Sequence, residues 1–162
     1  MSTIEPRIEI LRQKKLVGKY KRMSFSNNTT FQLWQSFMPR RKEISGKVSN
    51  EMISMQVYLE PMRIGDFNQE FDKWAAVEVN DFGNVPHEMD TFILQSGHYA
   101  VFPYKGLSTD VSIFIYIFGT WLPGSIYTLD LRPHFEILGE KYRNNDPDSE
   151  EEIWIPIKLK DK

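Results

Sequence analysis

The chain of 162 residues contains no cysteine, which excludes disulfide bonds and thiol chemistry. Its three histidines, His87, His98 and His134, show neither HxH nor HExxH spacing, so we predict no zinc or other metal site. Neither a P-loop nor a GxGxxG or GxSxG pattern occurs. The sequence therefore gives no sign of a bound cofactor.

Charge of one sign and long apolar runs are also scarce. Twenty Lys and Arg residues face 22 Asp and Glu residues, a net charge of −2, which lacks the basic excess that nucleic-acid binding requires. The longest apolar run, residues 111–118, is far shorter than the roughly 20 residues of a membrane-spanning helix. The first residues form no apolar signal core. We expect a cytoplasmic protein that does not enter a membrane.

Aromatic residues, in contrast, are abundant at 14% of the chain. Two aromatic segments, each closed by a proline, lie 84 residues apart. Counterparts at this offset are Trp34 and Phe118, Phe37 and Trp121, Met38 and Leu122, and Pro39 and Pro123.

Strand-like residues repeat at the same offset, with 16–18 matching 100–102 and Ile53 matching Ile137. We interpret this as a duplicated β-α-β-β unit in one domain of residues 1–162, with repeats over 5–80 and 90–160. A cleft walled by paired aromatic residues suits a flat or apolar small molecule. The alternative is that short aromatic helices look alike by chance.

Hydrophobic periodicity predicts the same order of elements in each half. The first half contains a strand over 7–25 with a bend at 13–15, a helix over 31–38, and strands over 52–59 and 74–79. The second contains a strand over 92–104 broken at Gly97, a helix over 111–122, and strands over 134–142 and 151–159. This order indicates an α+β fold with antiparallel pairing.

Three segments of the second half resemble the GyrI-like domain, the effector-binding module of AraC- and MerR-type regulators. They are 121–127 (WLPGSIY), 130–136 (DLRPHFE) and 152–157 (EIWIPI). The family patterns read W-L-P-x-S-G-Y-E, R-P-x-F-E and E-I-x-I-P-I. Residues 74–79 (WAAVEV) and the Val85-Pro86 pair resemble the segment between the family's repeats. Ile126 and Thr128 depart from the pattern, which leaves the polarity of the pocket open.

The resemblance covers residues 5–159 and implies two strand-helix-strand-strand (SHS2) modules related by a pseudo-two-fold axis. Two main helices would flank a central groove on an antiparallel sheet. Members of this family bind hydrophobic, often cationic, drugs and toxins in that groove. Because no helix-turn-helix segment precedes the domain, we expect a stand-alone member that does not bind DNA directly and that sequesters or senses a xenobiotic.

Two alternatives remain open from the same resemblance. A subset of the family hydrolyses strained cyclopropane-bearing toxins, with a glutamate as general base. A third hypothesis is a DNA gyrase-inhibitor-like interaction module, whose partner would be gyrase or a separate regulator.

Two carboxylates are candidates for holding a cation, Glu136 and Glu152. If their strands are neighbours, the two side chains lie near each other on one sheet face. A glutamate in a dry groove would add charge pairing to the roughly 0.5–2 kcal/mol that an aromatic face contributes. The alternative for each is a solvated strand glutamate.

Six aromatic side chains complete the predicted site. The expected ligand-binding rings are Trp34, Phe37, Phe118, Trp121 and Trp154. In a hydrolase, Glu136 would act as general base, and the Tyr127 phenol would orient the water. Plain core packing is the alternative for each ring.

Overall fold

The computed structural model describes residues 4–161 and has the α+β architecture that the sequence predicts. Its strands are β1 (Arg7–Leu11), β2 (Lys14–Met23), β3 (Met52–Val57), β4 (Phe71–Val79), β5 (Asp90–Leu94), β6 (Gly97–Lys105), β7 (Tyr127–Leu129), β8 (His134–Leu138) and β9 (Glu150–Leu159). Helix α1 (Thr30–Phe37) continues as a 3-10 helix (Met38–Glu43). Helix α2 (Ser112–Tyr116) continues through a π-helical turn (Ile117–Trp121) into α3 (Leu122–Gly124).

The strand order of the sheet is symmetric: if each strand of the first half is replaced by its counterpart in the second half and vice versa, the order is simply reversed. It runs β1-β6-β9-β8-β3-β4-β2-β5, entirely antiparallel, and β7 pairs with β9. The middle of this order is the β3·β8 pair, where Ile53 lies directly opposite Ile137. The duplicated modules with a pseudo-two-fold relation are therefore present, and their axis passes through this pair.

The offset between the halves is not constant. Strands β1 and β2 begin 83 residues before β5 and β6, and the buried Leu11 and Leu94 end β1 and β5. The match of 16–18 with 100–102 is therefore wrong by one residue. Val17 packs below α1, whereas Val101 lies in the core of the opposite face, because a shift of one residue moves a side chain through the sheet.

The connections after β3 and β8 repeat the same turn, at 63–69 and 143–149. In each, an aspartate N–H donates to the arginine carbonyl three residues before it, and the last residue's N–H donates to the aspartate carbonyl. The aspartate carboxylate accepts from the amide two residues on, and the last side chain accepts from the arginine N–H. The residues are Arg63, Asp66, Asn68 and Gln69, then Arg143, Asp146, Asp148 and Ser149. The shared turn supports the duplication, while the exact repeat boundaries stay a prediction.

Both helical segments pack on one face of the sheet. Leu33 and Phe37 of α1 are buried against β2 and β4, and Ile113 and Ile117 are buried against β6 and β9. The opposite face buries a second core that includes Trp74, Tyr99, Phe135 and Trp154. Among residues 4–161, no helix has the length and apolar character needed to cross a bilayer. Because the two helical segments cover β2 and β4 on one side and β6 and β9 on the other, the side chains between them come from the central strands.

Gly18 on β2 allows the close approach of β4. A Cβ placed there would lie 2.7 Å from Ala76 Cα and would also collide with the Ala75 carbonyl oxygen. We expect Gly18→Ala to lower the free energy of unfolding by about 1–3 kcal/mol, since neither backbone atom can yield easily. Urea denaturation at constant pH measures this loss.

Gly119→Ala is the matched control, because a Cβ at Gly119 meets nothing within 4 Å. It should leave stability unchanged or raise it by roughly 0.5–1 kcal/mol through helix propensity. Equal losses in the two variants would show that β2 and β4 are not so closely packed.

Candidate functional site

Six polar side chains occupy the helix-facing side of the central strands, between the two helical segments. We call this set the central floor. In the sheet register Ser54 lies opposite Glu136, and Gln56 lies opposite both His134 and Lys73. The members are Ser54, Gln56, Lys73, His134, Glu136 and Glu151. Apolar side chains fill this face beneath each helix, so polarity is concentrated in the groove between them.

Lys73 brings a positive charge into the floor. Its side chain is buried, and its Nζ donates to Gln56 Oε1 at 3.2 Å. Gln56 Nε2 in turn donates to the Tyr58 hydroxyl at 3.0 Å. Burial lowers the pKa of Lys73, and the nearby charges of Glu136 and Glu151 oppose that shift. The ammonium is therefore held by an amide and balanced by two carboxyl groups.

Glu136 and Glu151 form a carboxyl pair. Burial raises the pKa of Glu151, and the charge of Glu136 and a hydrogen bond between the two carboxyls act in the same direction. Among the described residues, no N–H or O–H donor reaches the buried Oε2 of Glu151. A hydrogen bond between two carboxyl groups needs a proton on one of them. The raised pKa of Glu151 therefore favours one proton held by the pair.

His134 is the second buried titratable base of the floor. Burial, assisted by the positive charge of Lys73, lowers the pKa of His134 to about 3. Its ring packs against Tyr58 at 5.3 Å and Phe118 at 6.2 Å between centroids. At neutral pH the imidazole is uncharged and extends the aromatic wall.

Both helical segments carry aromatic and apolar side chains that flank the central strands. Phe118 lies beside His134, and Trp34 is its counterpart on α1, half-buried and edge-on to Phe37 at 5.7 Å. Three residues before each ring, on the same side of the helix, Phe31 and Ile115 are 68% and 66% exposed. Both helical segments thus expose a large apolar side chain.

Of the predicted site residues, Glu136 belongs to the central floor, Phe118 contacts it through His134, and Trp34 packs on the core beneath α1. Phe37 has no exposed surface and belongs to the core beneath α1. Because it packs under the helix, a ligand reaches Phe37 only if that core opens.

Trp121 and Tyr127 pack together away from Glu136. Trp121 lies edge-on to Phe102 at 5.2 Å, and Tyr127 stacks on Trp121 at 6.2 Å. On β9, Tyr127 lies opposite Leu159, whereas Glu136 lies opposite Ile153. Six strand positions at roughly 3.3 Å each separate them by about 20 Å. The suggested Glu136–Tyr127 pair is not brought together.

Glu152 and Trp154 lie on the opposite face, so the expectation that Glu136 and Glu152 share a face is wrong. Glu152 lies opposite Ile137, accepts from Arg7 Nη2 at 2.7 Å and accepts from Trp154 Nε1 at 3.3 Å. Strand side chains alternate between faces, so the preceding residue, Glu151, joins Glu136 instead.

Sequence reasoning missed five of the six members of the floor, all except Glu136. For two of them, Glu151 and Lys73, the phase of the strands contained the signal. Glu151 is in phase with the buried isoleucines of β9, at 153, 155 and 157. Lys73 is in phase with the helix-facing residues of β4, at 75, 77 and 79. His134 gave no local signal, since its burial depends on Tyr58 and Phe118 from distant parts of the chain.

Two surface clefts of about 370 and 320 Å³ lie outside the groove. The first cleft runs between α1 and β2, and its polar side chains include Lys19, Gln32, Ser36 and Glu88. The second cleft lies at the connection after β3, and its polar side chains include Arg22, Glu60, Arg63 and Gln69. Buried ionisable groups that perturb one another are candidates for a functional site, and neither cleft contains such a cluster. We therefore place the candidate site at the central floor.

The buried imidazole predicts a pH dependence of stability. Its pKa falls from near 6.5 when unfolded to about 3 when folded, so the folded state binds fewer protons between these values. His134 thus contributes stability above pH 6.5 that is lost as the pH falls toward 3. Between pH 6 and 4 the wild type should lose up to about 1.4 kcal/mol per pH unit more than His134→Gln.

Urea denaturation across that pH range makes the comparison. His87→Gln is the matched control, because the His87 side chain is 89% exposed. Its stability should run parallel to that of the wild type. Parallel curves for His134→Gln and the wild type would contradict a buried, uncharged His134.

The family of small-molecule-binding domains described as GyrI-like matches residues 4–158 of the chain. The transcriptional regulator BrlR of Pseudomonas aeruginosa is 31% identical over 136 residues, which cover 83% of this chain and 48% of BrlR. The chain thus spans about half the length of that relative.

Solved structures share the fold. The C-terminal domain of EcmrR superposes with a TM-score of 0.70 at 13% identity, covering 98% of this chain and all of that domain (100%). SAV2435 bound to tetraphenylphosphonium has a TM-score of 0.63 at 18% identity, covering 96% of this chain and 94% of that one. By sequence match and by fold, this chain belongs to the GyrI-like family of small-molecule-binding domains.

Proposed function

We propose that the protein binds hydrophobic organic cations in the groove between its helices, with the Glu136–Glu151 pair as the anionic group. The observation that carries the proposal is a half-buried carboxyl pair at the base of an aromatic-walled groove. The binding of tetraphenylphosphonium by SAV2435, a protein of the same fold, supports this ligand class.

The physical case combines two attractions. An aromatic face such as that of Trp34 or Phe118 attracts a cation by roughly 0.5–2 kcal/mol, and more where water is excluded. A carboxylate in the same groove adds direct charge pairing that a neutral ligand does not receive. The exposed Phe31 and Ile115 offer apolar contact to the organic groups of the guest.

Binding in this groove serves either sequestration or sensing of a xenobiotic. The regulator BrlR favours a sensing use for domains of this kind, since the chain matches about half of its length. Sequestration requires the same groove and no further partner. Both uses depend on the same carboxyl pair, so one set of binding experiments tests their common basis.

Hydrolysis of a strained toxin is the second candidate, favoured by the raised pKa of Glu151 beside a second carboxyl group. Glu136 would then activate water next to Glu151 rather than next to the distant Tyr127. Mass spectrometry of a cyclopropane-bearing toxin incubated with the protein separates the two functions. Binding predicts an unchanged toxin, whereas hydrolysis predicts its water adduct.

Glu136→Gln should weaken binding of tetraphenylphosphonium by about tenfold or more, equivalent to about 1.4 kcal/mol, because the charge pairing is lost. Binding of the neutral triphenylphosphine oxide should change much less. Titration fluorimetry of the tryptophans measures both affinities. Glu140→Gln is the matched control, since Glu140 is exposed just beyond β8. Equal losses for both compounds would contradict the charge role.

A further inference from the structure

The carboxyl pair is enclosed by groups from several elements. Besides Glu136 on β8, the charged or titratable side chains near Glu151 are Lys73 on β4, Tyr104 on β6 and Tyr142 after β8. The Tyr104 hydroxyl donates to the Leu107 carbonyl at 2.7 Å and is therefore not a donor to Glu151. The buried Oε2 of Glu151 meets no donor among the described residues, which disfavours a bare carboxylate there and favours a protonated carboxyl group.

The charges of the floor then balance. We count Lys73 as an ammonium, since the charges of Glu136 and Glu151 oppose the lowering of its pKa by burial. Set against two carboxyl groups that hold one proton, this ammonium leaves the site neutral without a ligand. Adding a cation to a neutral, poorly solvated groove would leave an uncompensated positive charge, which is costly. Loss of the shared proton restores neutrality, because the second carboxylate then balances the cation.

Resting on the proposed function, we propose that an organic cation displaces the proton shared by Glu136 and Glu151. The O–H bond of the pair breaks, the proton leaves to solvent, and both carboxylates face the bound cation and Lys73. One proton is released for each cation bound. Lys73 fixes this number, since its charge already balances the first carboxylate.

Isothermal titration calorimetry of the wild type with tetraphenylphosphonium tests the exchange. Titrations at pH 7 in buffers of different ionisation enthalpy give the number of protons released, which should be close to one. The affinity should also rise about tenfold per pH unit while the pair remains protonated. Triphenylphosphine oxide should bind without proton release and without this pH dependence.

Two adjacent variants assign the proton. Glu151→Gln removes the shared proton and one of the two compensating carboxylates, so this variant should bind the cation more weakly than the wild type and with no proton release. Glu152→Gln is the matched control, because that carboxylate lies on the opposite face and pairs with Arg7. It should bind and release one proton as the wild type does. Proton release that persists in Glu151→Gln would overturn the assignment.

The outcomes separate this inference from the proposed function. Tight binding of the cation by the wild type with no proton release and a flat pH profile overturns the exchange but leaves cation binding intact. Failure of the folded wild type to bind either compound overturns the proposed function and the exchange with it.

Discussion

The antiparallel pairing of β3 with β8 is the contact on which the rest of the structure depends. It joins two similar halves into one continuous sheet at the point where Ile53 meets Ile137. Because the helices cover the strands on either side, the helix-facing side chains of this central pair lie between the two helical segments. The register of the pair decides which side chains face the helices. Ile137 points to the opposite face, so its neighbour Glu136 points into the groove, because side chains alternate along a strand.

A polar cluster at this place has a cost to the fold. Burial disfavours the charged forms of Lys73, Glu151 and His134, which is why each of their pKa values moves toward neutrality of the side chain. An apolar floor of the same volume would be equally stable or more stable. Retaining ionisable groups there is consistent with a ligand whose charge they balance. The three surrounding core clusters are apolar and supply the stability that the floor does not.

Local patterns in the sequence predicted much of the fold. The helices, the hairpin breaks before Lys14 and Gly97, and the last strand follow from periodicity and turn residues. The short strand β7 was not predicted, because three residues are too few to show an alternating pattern. The strand match at an offset of 84 failed for a different reason, since one inserted or deleted residue reverses the face of every side chain.

The site was less accessible to sequence reasoning. Glu136, Trp34 and Phe118 followed from the resemblance and the duplication, but choosing Glu152 over Glu151 required knowing which phase of β9 faces the helices. The burial of Lys73 and His134 depends on contacts across the sheet and with Phe118 that no local pattern encodes. Long-range packing thus places one residue of an apparently exposed acidic run in a half-buried carboxyl pair.

A crystal structure of the complex with tetraphenylphosphonium tests the central claim most directly. The account predicts the phosphorus between the helices, above Glu136 and Glu151, with phenyl groups against Trp34 and Phe118. A cation seated on the opposite face beside Glu152 and Trp154, or in one of the two outer clefts, would contradict it.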